Sequence, residues 1–279
     1  MLFPRIVALQ PSVSVTLAAL GRADHLVAVT RWCVEQTPEL AGRDLPVLPD
    51  SWSAGDKDIA TLREIAPDLI VASVPYQEKS LRALLQSGLP VLALAPRSMK
   101  EIYADTRLLG ALLDARAAAE RLIAQMQAAL KDVEDRATGG ARVSCEEWSF
   151  PQTNSLIHSQ PWVNELIAAC GGVAVGTPGA VATADAVAGE NPDAIVAAWC
   201  GAGDRVPLRR LIAQRGWENL AAVRQRRVYC VPDEFLNTPA IPSLLDGLAC
   251  VAHCVQPEIF PAPSRLRRLE LIGHEEVGA

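Results

Sequence analysis

One phrase of six residues recurs with a single change, and it sets the plan of the chain. Pro67-Asp68-Leu69-Ile70-Val71-Ala72 returns as Pro192-Asp193-Ala194-Ile195-Val196-Ala197. Each copy follows a helical pattern and opens an apolar run, which reads as a strand in a sheet covered on both faces. The first helix of each half also ends in glycine, at Gly21 and Gly171. Strands alternate with helices around both copies, which predicts a parallel α/β arrangement in each half.

Between the halves the rhythm changes. Residues 102–136 contain no proline and a single glycine, Gly110. Leu108, Leu112, Ala115, Ala119, Leu122, Met126, Leu130 and Val133 recur every three or four positions, forming one helical stripe. An unbroken helix of about 35 residues would be a rod of roughly 50 Å. The expected fold is therefore α/β, with two α/β lobes joined by one long rigid α-helix. Each lobe has a central, mainly parallel sheet, and the ligand cleft lies between the lobes. The expected boundaries are 1–100 for the N-terminal lobe, 101–138 for the linking helix, 139–256 for the C-terminal lobe and 257–279 for a loosely packed tail.

Composition narrows the function. Half of the 279 residues are apolar, 21% are charged and the formal net charge is −6. Such a chain can bury a core, and it lacks the basic surplus of a nucleic-acid binder. No apolar run reaches membrane-spanning length. Met1-Leu2-Phe3-Pro4 leads straight into an expected strand at residues 5–9, which reads as a start without a secretory leader. The chain as written is expected in the cytoplasm, the alternative being the periplasm or cell surface. Seven cysteines, an odd number, sit mostly in apolar contexts and read as reduced core thiols.

Signatures of catalysis are absent: there is no G-x-S-x-G elbow, P-loop or G-x-G-x-x-G. Gly201-Ala202-Gly203 reads as a turn. Cys250, His253 and Cys254 share one helical turn, as metal ligands or as the packed face of an amphipathic helix. The unusual resource is tryptophan, six residues against three Tyr and four Phe. Trp32, Trp52, Trp148 and Trp162 fall in expected loops or helix starts after strands. Exposed indoles there suit a large, flat, partly apolar ligand; the other reading is that they plug the rims of the lobes. Glu146 and Glu147 follow a strand, as a general base, a hydrogen-bonding pair for amides, or a solvated pair. His158 would ligate a metal centre, bond a ligand or fix its own loop.

These residues resemble a known family. The run from Arg5 to Ser12, then Leu17-Ala18-Ala19-Leu20-Gly21 and Leu26-Val27-Ala28-Val29-Thr30, resembles the opening of helical-backbone (class III) substrate-binding proteins of ABC importers. Residues 62–72 look like that family's most recognisable stretch, and residues 162–172 resemble its second-lobe helix. The likeness is greatest to the cobalamin binders. It implies a non-catalytic protein that clamps a corrinoid, with no cofactor of its own. It implies that Trp32, Trp52, Trp148 and Trp162 pack on the ligand, and that Glu146, Glu147 and Asp233 meet its amide edge. Asp185 matches the second-lobe acid that docks on a permease. The first-lobe counterpart falls on Ala60, with Asp56 and Asp58 nearby, and a second-lobe aromatic falls near Gly179. The alternatives are an iron–siderophore binder using Arg31 and Arg97, a haem binder using His158 or Tyr76, and a cytoplasmic enzyme or chaperone on the same scaffold.

Overall fold

A computed structural model describes residues 3–50, 56–75 and 78–269. The chain divides into two compact units. The first comprises Met1–Gln127 and Thr238–Ser243, the second Ala128–Asn237 and Leu244–Ala279.

Unit 1 is built from β1 (Ile6–Ala8), α1 (Pro11–Ala19), β2 (Leu26–Thr30), α2 (Arg31–Gln36), β3 (Val47–Leu48), α3 (Asp56–Ile65), β4 (Leu69–Ser73), α4 (Glu78–Gln86), β5 (Val91–Leu94) and α5 (Met99–Leu112). Its sheet runs β3-β2-β1-β4-β5, and every pairing is parallel. The period of two in the strands assigns side chains to opposite faces. Ile6, Ala8, Leu26, Val29 and Val71 join Val13 and Leu17 of α1 and Leu109 of α5 in one cluster. Val7, Ala28 and Ile70 join Ile59 and Leu62 of α3 and Leu84 of α4 in another. Both faces are covered, which explains why β4 carries no polar alternation.

The single rod is corrected. The chain breaks into α5 and α6 (Arg116–Arg136), with Asp114 between them at φ 52°. The break leaves the Leu113 and Asp114 carbonyls between the two helices, and Arg22 bonds both. Its Nε donates to Leu113 O at 2.9 Å and its Nη2 to Asp114 O at 2.8 Å. Gly110 lets the second helix approach, since a Cβ there would lie 2.7 Å from Ala119 Cβ. Helix α6 passes from one unit to the other at Gln127–Ala128. Its 21 residues give about 30 Å, not 50.

Unit 2 contains β6 (Arg142–Phe150), β7 (Ser155–His158), α7 (Pro161–Ala169), β8 (Val173–Ala174), β9 (Val181–Thr183), α8 (Ala184–Glu190), β10 (Ala194–Ala197), α9 (Leu208–Arg215), α10 (Ala221–Arg224), β11 (Val228–Cys230), α11 (Asp233–Leu236), most of α12 (Ile241–Val255) and β12 (Arg267–Arg268). The sheet order is β12-β11-β10-β6-β7-β9, with β8 on the first residues of β6. Strands β6, β8, β10 and β11 are parallel, and β7, β9 and β12 add antiparallel edges. Two expectations change here. Residues 146–150, read as loop, extend β6 into a hairpin with β7. The described part of the tail, residues 257–269, is not loose, because β12 pairs with β11 and Leu269 is buried in the unit's core.

The repeated phrase has one structural job in both units. Asp68 Oδ2 accepts the Arg5 N–H at 2.9 Å, and Asp68 N donates back to Arg5 O at 2.8 Å. Asp193 does the same to Arg142, at 2.8 Å in each direction. Each aspartate thus sets the register between its own strand and the first strand of the unit. Gly21 and Gly171 close their helices at φ 69° and 76°, a conformation glycine adopts freely.

Candidate ligand-binding site

In open α/β sheets, ligands meet the carboxyl ends of the strands. In unit 1 those ends carry Gln10 after β1, Arg31 and Trp32 after β2, Asp50 after β3 and Pro75 after β4. Gln10 Nε2 donates to Pro75 O at 2.8 Å, tying β1 to β4 where the strand order turns back. Trp32 sits in the first turn of α2, capped by the Thr30 hydroxyl, which accepts Cys33 N–H at 3.3 Å. The Trp32 indole N–H donates to Asp50 Oδ2 at 3.1 Å. The Arg31 guanidinium stacks on the ring at 4.0 Å. The ring is half-buried, with its single donor engaged and its orientation fixed. Trp52 and Tyr76 lie outside the described residues.

In unit 2 the strand ends carry Glu147 and Trp148 on β6, Trp199 and Cys200 after β10, and Asp233 after β11. Trp148 is 42% exposed, the most exposed large aromatic among the described residues. Glu147 accepts Gln160 Nε2 on both oxygens at 2.8 Å. Burial pushes its carboxyl up, and the Gln160 bond partly opposes that. Asp233 holds the Gly201–Gly203 turn, accepting Gly201 N–H at 2.8 Å and Gly203 N–H at 2.7 Å. Burial raises its carboxyl too, against those two N–H groups. Asn237 Nδ2 donates to Ala198 O at 2.7 Å and to Cys200 Sγ at 3.3 Å.

Three expected ligand contacts face inward instead. Trp162 is 1% exposed and its indole N–H donates to Leu236 O at 2.8 Å, so it is core that fastens α7 to α11. Glu146 is 1% exposed and paired with Arg215 of α9, at 3.0 and 2.8 Å. Burial pushes its carboxyl up against the pull of that guanidinium. The His158 ring is buried over Gly176, where a Cβ would fall 2.1 Å from Nε2, and burial lowers its basicity. It pins the loop after β8. Cys250 and Cys254 are core thiols, and His253 Nδ1 is bonded to Phe260 O at 2.8 Å. Among the described residues no group of His, Cys, Asp and Glu is arranged to hold a metal ion. Asp185 is exposed in the first turn of α8, whose cap is the Thr183 hydroxyl, accepting Ala186 N–H at 3.1 Å.

Sequence reasoning missed Gln160 and Arg215. Gln160 carried a weak signal, as the residue before the helix-opening Pro161. Arg215 carried none, because its partner stands 69 positions away.

Among the described residues no helix is long and apolar enough to cross a membrane. A curated relative, the uncharacterized ABC transporter substrate-binding lipoprotein YvrC of Bacillus subtilis, is 27% identical over 92% of this chain and 81% of its own length. Among solved structures, a periplasmic heme binding protein from Pseudomonas aeruginosa is similar at a TM-score of 0.80 and 20% identity, covering 97% of this chain and 99% of the other. The periplasmic vitamin B12 binding protein BtuF of Vibrio cholerae is similar at 0.70 and 21%, covering 92% and 98%. At these identities the structures establish the shared fold. The family model described as Periplasmic binding protein matches residues 6–235, and the chain belongs to that family.

Proposed function

We propose that this protein is a non-catalytic binder of a corrinoid, serving uptake through an ABC permease. The observation that carries the ligand class is Trp148. An indole 42% exposed on a strand end has no packing role that explains it. Trp32 offers a second flat surface at the strand ends of the other unit, held by Asp50. Flat, partly apolar macrocycles are what such rings stack on.

The polar groups favour an amide-rich ligand over an anionic one. Next to Trp148 in β6 is Glu147, and Asp233 stands after β11 at the strand ends of the same unit; burial raises both carboxyl groups. An anionic siderophore calls for guanidinium groups at that place. A carboxylate that accepts Gln160 N–H bonds is equally suited to accept those of a corrin side-chain amide. The haem alternative loses His158 as axial ligand, since that ring is buried against Gly176.

Asp185, exposed at the start of α8, is the proposed contact to the permease. The matched relatives are a lipoprotein and periplasmic proteins, which supports residence in the periplasm or at the cell surface. The expectation of a cytoplasmic protein is set aside on that ground. Titration with cyanocobalamin, cobinamide and haem tests the ligand. One-to-one binding of a corrinoid with tryptophan quenching is expected; binding of haem alone would overturn the choice.

A further inference from the structure

Arg215 ends α9 with its side chain only 3% exposed. Its two terminal nitrogens donate to both oxygens of Glu146, at 3.0 and 2.8 Å. Nη2 also donates to Ser149 Oγ at 2.9 Å. The Trp217 ring lies against the guanidinium at 4.6 Å. The two residues it grips flank Trp148, one on each side along β6.

The strand is irregular between them. Glu146 stands opposite His158 and Trp148 opposite Ile157, so Glu147 is an extra residue on β6. A bulge of this kind bends a strand and re-aims the side chains beside it. On the β10 side the backbone stays bonded, Ala198 N–H to Glu146 O at 2.9 Å and Cys200 N–H to Glu147 O at 3.0 Å, so the ladder is interrupted only toward β7. The planar fork of an arginine spans such a gap at several fixed points, which a lysine cannot do. Stability alone does not account for the choice. Replacing a buried ion pair by apolar residues of similar volume is often neutral or stabilising.

We propose that Arg215 is a positioning residue, whose bonds to Glu146 and Ser149 lock the bulge so that the Trp148 indole is held at one angle on the strand-end face. The consequence for affinity rests on the reading of Trp148 as a ligand contact. The orientation itself does not.

The experiment uses the full chain. The near-ultraviolet circular dichroism of Trp148 is isolated by subtracting the Trp148→Phe spectrum, in the parent and in Arg215→Met, Arg215→Lys and Ser149→Ala backgrounds. Affinity for cyanocobalamin is measured on the same proteins. The Trp148 signal is expected to fall by about half or more in Arg215→Lys, although its charge is kept, and measurably in Ser149→Ala. Affinity is expected to fall about tenfold in Arg215→Lys, and the Arg215→Lys/Trp148→Ala pair to bind no worse than Trp148→Ala alone. A full Trp148 signal in folded Arg215→Lys and Ser149→Ala would overturn the proposal. Should Arg215→Met not fold, these two milder variants decide. If Trp148→Phe leaves affinity unchanged while Arg215→Lys still abolishes its signal, the positioning role stands and the ligand assignment falls.

Discussion

The indole N–H of Trp32 donates to Asp50 Oδ2 at 3.1 Å, joining the ends of β2 and β3 in one bond. Among the described residues Trp148 has no such polar tether, and it stays 42% exposed. The two rings are thus presented in different ways, one braced by a carboxylate and one by the bulged strand that carries it.

Binding and stability should separate across the tryptophans. Trp32→Ala and Trp148→Ala are each expected to weaken corrinoid binding by more than about tenfold, or 1.4 kcal/mol. Trp148→Ala should leave stability within about 0.5 kcal/mol. Trp162→Ala should cost about 3–5 kcal/mol of stability, because it empties a core site. Calorimetric titration and urea unfolding of the three variants measure both quantities.

The repeated aspartates make a paired prediction. Asp68→Ala and Asp193→Ala each remove one side-chain bond to a strand-opening N–H, worth about 1 kcal/mol. Hydrogen exchange should show faster exchange in the sheet of the mutated unit only. Equal loosening of both sheets in either variant would contradict the local role.

Glu147 gives a pH dependence of known sign. Its carboxyl is raised in the folded protein by burial. Its contribution to stability is therefore fully present below the ordinary glutamate range and is lost as pH rises through the folded value. Glu147→Gln removes the group that ionises. Its stability relative to the parent should rise with pH across the window that opens at the ordinary glutamate range and closes at the raised folded value. Thermal melts of both proteins at each pH check this. A constant difference would show that Glu147 does not titrate in that window.

The cysteines should be nearly inert in the native protein. Burial pushes the thiols of Cys145, Cys170 and Cys250 up to about 12, and raises Cys254 well above its ordinary value. Cys200 is the exposed one, but desolvation and the charges of Glu147 and Asp233 raise it to about 12 as well. A thiol reagent at pH 7 should label Cys200 slowly and the other six only after denaturation. Fast labelling of several native thiols would contradict this packing.

The α/β units were readable because Ile6, Val7 and Ala8, or Ile195 and Val196, are buried whichever way they point. Asp68 and Asp193 marked the strand starts because each bonds a backbone group next to a fixed partner strand. The break at Asp114 was hidden. Leu112, Ala115 and Ala119 keep the helical spacing across it, and the clamp comes from Arg22, far away in sequence. The β6–β7 hairpin was hidden for a related reason. Glu146 and Glu147 look solvated until Arg215 and Gln160 are brought to them. Trp32 was placed correctly at a helix start after a strand, whereas Trp148, expected in a loop, lies within β6. Trp162 was not separable from them, since an indole after a strand reads the same whether it meets solvent or Leu236.

The most direct test of the ligand assignment is calorimetric titration of the full chain with cyanocobalamin, with tryptophan fluorescence followed in parallel. The account predicts saturable one-to-one binding with strong quenching that is largely lost in Trp148→Ala. No heat and no quenching, or quenching unchanged in that variant, would contradict it.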